Sequence, residues 1–103
     1  MSVKQLSAEN FQQEVLNSDK TVVVDFYADW CGPCKMLSPT VDALSEELPD
    51  VAFFKLNVDN AQEQCMKYRV MTIPTLIVFK GGEEKQRTVG LQSKDMLRRM
   101  IEG

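Results

Sequence analysis

Two cysteines three positions apart, in the run Trp30-Cys31-Gly32-Pro33-Cys34-Lys35, are the residues of this chain best suited to do chemistry. The run follows a strand-like stretch and opens a helix-like one. Thiols at that spacing on a helix's first turn lie close enough to join in a disulfide with little backbone movement. The unsatisfied amide N–H groups of the turn favour a thiolate over a thiol, and the thiolate is the nucleophile in disulfide exchange. A disulfide that opens and closes without unfolding the chain carries electrons. In an intracellular chain, that is what a CxxC of this kind points to.

The remaining inventory narrows the chemistry. Cys65 is the third cysteine, and there is no histidine. Structural zinc takes four Cys or His ligands, so three thiolates would need a carboxylate or water to complete a site, and no metal is expected. Cys–His catalysis of the papain type is excluded, leaving a carboxylate, a lysine or water as proton acceptor. Asp25 is the conspicuous candidate, set inside Thr21-Val22-Val23-Val24-Asp25-Phe26-Tyr27. An ionised carboxylate is costly to bury, so its pKa should be raised, unless its side chain reaches solvent at a strand end.

The flanking periodicities say what must position these groups. Ser7 can N-cap a first helix over about residues 8–17, with Phe11 and Val15 on its buried side. The valine run lacks alternation, apart from Asp25, and reads as a strand covered on both faces. After the cysteines, Leu37, Val41, Leu44 and Leu48 share one helical face, with a bend expected at Pro39 and a stop at Pro49-Asp50. Val51 to Val58 reads as a second buried strand, and Asp59 or Asn60 as the cap of a short helix ending near Tyr68. Strand, helix, strand with such short joints is a right-handed βαβ unit with a parallel pair. Thr75 to Lys80 is a further strand, Gly81-Gly82 a hairpin turn, and Glu84 to Val89 an alternating edge strand broken by Gly90. Ser93 caps a last helix with Met96, Leu97, Met100 and Ile101 as its apolar stripe. The methionines read mostly as core filler, and Cys65, on one helix face with Ala61 and Tyr68, as a small buried hydrophobe or else a regulatory thiol.

The 103 residues suit one core, so a single domain over 1–103 is expected. A net charge of −3, with no Lys/Arg cluster, argues against nucleic acid or an anionic membrane as partner. Residues 1–20 hold no apolar signal-peptide core, and no run approaches the length of a membrane span. A cytoplasmic monomer is expected.

From Val24 to Lys35, with Pro39, Asp59, Ile73-Pro74-Thr75, Gly81-Gly82 and Gly90, the chain resembles the thioredoxin family over its whole length. A bare CxxC is a weak signal; WCGPC after a buried strand with a downstream Ile-Pro-Thr is specific. The resemblance implies an α/β fold, a five-stranded mixed sheet flanked by four helices, and general protein-disulfide reductase activity. Cys31, at the helix start, is then the exposed nucleophile, and Cys34, one turn in and shielded, resolves the mixed disulfide. Asp25 lies behind Cys34 and takes or relays its proton. Lys55 is the natural countercharge for Asp25; alternatively its stem packs while its amine reaches water. Ile73-Pro74 is the cis-proline loop, which pairs its backbone with a substrate strand. Trp30, Pro33, Ile73 and Gly90 form an apolar rim around Cys31, with Gly32 in the same surface.

Protein disulfide isomerases resemble this site but carry a histidine between the cysteines, so Gly32-Pro33 leans toward a reductant. Tyr27 stands where tryptophan is common in the family, and Thr72, beside Met71, where a small residue is usual; these touch target preference. No cofactor is expected on the chain itself: NADPH and FAD act only through a thioredoxin reductase that regenerates the dithiol. Targets implied by the resemblance include ribonucleotide reductase, peroxiredoxins and methionine sulfoxide reductases. A thioredoxin-fold binding subunit or redox-sensing partner, and a disulfide isomerase or oxidant, are the other readings.

Overall fold

Parallel pairing of the second and third strands is the frame on which everything else hangs. The structure, a computed structural model, describes residues 3–103. Its strands are β1 (Val3–Leu6), β2 (Val22–Tyr27), β3 (Ala52–Asn57), β4 (Thr75–Lys80) and β5 (Glu83–Val89), ordered β1-β3-β2-β4-β5 in one sheet. β3 runs parallel to both β1 and β2, whereas β4 is antiparallel to β2 and to β5. A π-helix (Gln12–Leu16) and α2 (Gln62–Lys67) cover one face; α1 (Gly32–Glu47) and α3 (Lys94–Glu102) cover the other.

Side-chain alternation divides the strands between these layers. Val22, Val24 and Phe26 pack with Phe11, Val15, Leu56 and Phe79 on the first face. Val23 packs with Leu37, Val41, Leu44, Phe53 and Leu97 on the second. Both sides of β2 are therefore buried, which is why its sequence is apolar apart from Asp25. Asp25 falls on the α1 side. The register sets it beside Lys55 of β3, and Lys55 beside Gln5 of β1, so three polar side chains share one row across an apolar sheet.

Several expectations need correction. β1 was not expected from its residues: Val-Lys-Gln-Leu is short and half polar, and only its pairing with β3 makes it a strand. The first helix is shorter and wider than residues 8–17. Ser7 and Asn10 cap each other, Asn10 N–H donating to Ser7 Oγ at 3.2 Å and Ser7 N–H to Asn10 Oδ1 at 2.9 Å. Beyond them, Asn17 N–H reaches back to the Gln12 carbonyl at 2.9 Å, a π turn that keeps Phe11 and Val15 buried. Neither Asp59 nor Asn60 caps α2. They lie in a 3-10 turn (Val58–Asn60) whose cap is Asn57, and α2 starts after Ala61 with no side-chain cap.

β5 does not alternate throughout, because a register shift opposite Val78/Phe79 leaves Lys85 without a partner residue. The methionines are not core filler. Met36, Met66, Met71 and Met96 are exposed, only Met100 packs on the core, and Met1 lies outside the described residues. Met96 therefore leaves the α3 stripe to Leu97, Met100 and Ile101. Helical spacing marks a face, but it does not say whether anything covers it.

At the Gly81-Gly82 turn both residues have positive φ, +61° and +79°, the geometry that joins two strands in a tight hairpin. A Cβ on Gly82 would sit 2.6 Å from the Leu16 carbonyl oxygen, whereas one on Gly81 would meet nothing. Gly82→Ala should therefore destabilise the fold by about 2 kcal/mol or more, and Gly81→Ala by about 1 kcal/mol. Urea denaturation of the two variants checks this; equal losses would mean that Leu16 moves aside freely.

Candidate active site

β2 delivers the site and α1 organises it. The chain leaves β2 at Tyr27, passes Ala28, Asp29 and Trp30, and reaches Cys31 as the N-cap of α1. Cys31 is extended (φ −93°, ψ 110°), which aims its sulfur back over the first turn, where it accepts the Cys34 N–H at 3.2 Å. Pro33 occupies the first turn, where no intrahelical N–H is needed. Cys31 and Cys34 are joined in a disulfide with Cα atoms 5.3 Å apart. Once the bond opens, the same N–H and the helix terminus favour a thiolate on Cys31 over one on Cys34.

Cys31 is not the exposed thiol expected. Both cysteines are 5 % exposed, packed with Ala28 against Tyr27, Val58 and Ile73. Cys31 Sγ also lies 3.9 Å from the Ile73 carbonyl oxygen, close enough for a reduced thiol to donate to it. Besides Tyr27, that cover comes from the 3-10 turn after β3 and the loop before β4, both remote in sequence.

The Ile73–Pro74 bond is cis, and this loop faces the disulfide as the resemblance implies. Pro74 is buried, and its carbonyl accepts the Gly90 N–H at 2.8 Å, which brings Gly90 (φ +86°) to the same edge. Thr72 points to solvent while its carbonyl accepts the Thr75 hydroxyl at 2.5 Å. Gly32 and Pro33 are exposed, Ile73 is half-buried, and Trp30 is 70 % exposed. Trp30 is nonetheless held, its Nε1–H donating to Asp59 Oδ2 at 2.9 Å. Asp59, expected as a helix cap, instead anchors Trp30; nothing in the spacing of two residues this far apart links them.

Behind the disulfide, Asp25 is 6 % exposed, so its side chain does not escape to solvent. It borders a cleft of about 180 Å³ together with Cys34, Lys55, Ser38 and Tyr27. Oδ1 has no hydrogen-bond partner among the described residues. Burial is the main cause that pushes the carboxyl up to about 7; the Lys55 ammonium opposes it and the Asp42 carboxylate adds to it. A carboxyl that exchanges protons near neutral pH, sharing a cleft with one of two exchanging sulfurs, is suited to general acid–base work. Lys55 is half-buried, with Nζ 5.6 Å from the centre of the Tyr27 ring.

Cys65 is free and half-buried, packs on the core of the α2 face, and stands outside the Asp25–Cys34 cleft. Burial, and secondarily Asp59, pushes its thiol pKa up, which disfavours the thiolate. Among the described residues no group of three or more Cys, Asp and Glu is placed to hold a metal ion, and no helix is long and apolar enough to cross a membrane.

A CxxC disulfide at a helix N-cap, on a mixed sheet and facing a cis-proline, defines a thiol–disulfide oxidoreductase that works through its cysteine pair. The comparisons agree. The thioredoxin family model matches residues 2–103. The chain is 46% identical to a thioredoxin of Chlamydia trachomatis over 99 residues, covering 96% of this chain and 95% of that one. It is 46% identical to a thioredoxin of Rickettsia prowazekii over 96 residues (92% and 91%), and 49% identical to one of Rickettsia typhi over 89 residues (85% and 85%). The chain belongs to the thioredoxin family.

Proposed function

We propose that residues 1–103 act as one domain that reduces disulfides in other proteins, with Cys31 as attacking and Cys34 as resolving sulfur. The Cys31 thiolate attacks one sulfur of the substrate disulfide, and the other sulfur leaves as a thiolate and takes up a proton. The Cys34 thiol gives its proton to Asp25, and the resulting thiolate attacks Cys31 Sγ. The second substrate sulfur leaves, two electrons have passed to the substrate, and the Cys31–Cys34 disulfide remains. Lys55 tempers the Asp25 carboxyl. Trp30, Gly32, Pro33, Thr72, Ile73, Pro74 and Gly90 form the docking surface, where the backbone before Pro74 pairs with an extended substrate segment.

The observation that carries the order of attack is the Cys34 N–H aimed at Cys31 Sγ at 3.2 Å, which stabilises charge on Cys31 alone. A thioredoxin reductase, drawing on NADPH through FAD, is the proposed electron donor; this chain itself carries no cofactor. Ribonucleotide reductase, peroxiredoxins and methionine sulfoxide reductases are the proposed acceptors. The free Cys65 thiol suits a reducing compartment, and we place the protein in the cytoplasm as a monomer. The test is insulin reduction driven by dithiothreitol. The wild type and Cys65→Ser should accelerate it equally, and Cys31→Ser should fall to the uncatalysed rate. Activity retained in Cys31→Ser would contradict the assignment.

A further inference from the structure

Tyr27 closes β2 beside the exchanging sulfurs without taking part in the exchange. The Lys55 ammonium stands 5.6 Å from the centre of its ring, within the range where an aromatic face attracts a cation. Its hydroxyl donates to Gln5 Oε1 at 3.2 Å, and Gln5 Nε2 donates in turn to the Lys55 carbonyl at 3.4 Å. The sheet explains the coincidence. Gln5 is in register with Lys55 and Lys55 with Asp25, while Tyr27, two residues after Asp25, projects on the same side. Residues from the two neighbouring strands, β1 and β2, thus flank one lysine of β3.

A lysine at such a place is ordinarily free to swing. Its stem is flexible and its ammonium strongly hydrated, so an unheld amine moves into water, where its charge is screened. We propose that Tyr27 is a positioning residue: anchored through its hydroxyl by Gln5, its ring keeps the Lys55 ammonium facing Asp25, and this governs how readily Asp25 exchanges the Cys34 proton. The catalytic half of this proposal rests on the reading of Asp25 as proton acceptor. The charges around Asp25 are few. Lys55 comes from β3, Asp42 and Lys35 from α1, Asp29 from the segment after β2, and β4 presents only Leu76 in register. Lys55 holds the Asp25 carboxyl down against burial and Asp42, so releasing Lys55 lets it rise further.

The experiment is titration of the Asp25 carboxyl by 13C NMR in the full-length oxidised protein, where Cys31 and Cys34 do not titrate. Tyr27→Leu should raise the midpoint by about half a pH unit. Gln5→Ala, at an exposed position, should raise it less, and keeps the test available if the leucine variant does not fold. Neither should move it further in a Lys55→Gln background. A midpoint that stays put in the folded variants, or moves as far without Lys55, overturns the proposal. Wild-type release of substrate by Asp25→Ala would count against the acceptor role alone, since the titration reports on Tyr27 whatever that rate is.

Discussion

Asp25→Ala is expected to be markedly more stable than the wild type at pH 8 and to lose that advantage in acid. The carboxyl titrates near 3.8 in the unfolded chain and at about 7 in the folded one. Below the first value it is protonated in both states and costs nothing. As pH rises toward the second, the unfolded chain ionises and the buried group resists, so wild-type stability falls and levels off above about 7. At 1.36 kcal/mol per pH unit the difference is on the order of 4 kcal/mol, reduced by about 1 kcal/mol for the space alanine leaves. Urea denaturation from pH 4 to 9 should show the gap opening across that window. A gap independent of pH would mean that Asp25 is not buried as a carboxylate. The same variant should release reduced substrate about a hundredfold more slowly at pH 7, recovering as Cys34 ionises unaided at higher pH. The proposed proton acceptor is thus a group that weakens the fold at the pH where the proposed transfer would use it.

The second large effect is expected from Cys34→Ser. With no resolving thiol, attack by Cys31 stops at the mixed disulfide, so turnover should fall to background while covalent complexes accumulate. Cys31→Ser should lose turnover without accumulating them, because Cys34 lies inside the first turn of α1 and lacks the N–H that serves Cys31 at the N-cap. Non-reducing electrophoresis separates the two outcomes. Complexes from both variants in equal amount would mean that the cysteines are interchangeable.

Where one signal was local, the chain was readable. β2 is apolar on both faces because both are covered, and that same cover made Asp25 conspicuous and its raised pKa foreseeable. The stripe Leu37, Val41 and Leu44 located α1 and its buried side for similar reasons. Other features depend on partners far along the chain. β1 exists through β3, and Trp30 is fixed by Asp59. The cover over the cysteine pair comes in part from Val58 and Ile73. The cis bond at Pro74 followed from family resemblance, since an X-Pro dipeptide does not itself encode its isomer. The exposed methionines misled because hydrophobic type was read as burial, although much of any folded surface is apolar.

The central claim is that Cys31 alone forms the bond to substrate. It is tested most directly by peptide mass mapping of complexes formed by Cys34→Ser with a disulfide-containing protein. Linkage of the substrate cysteine to the peptide carrying Cys31, and to no other, is the result predicted here. Linkage through Cys65, or no covalent complex at all, would contradict it.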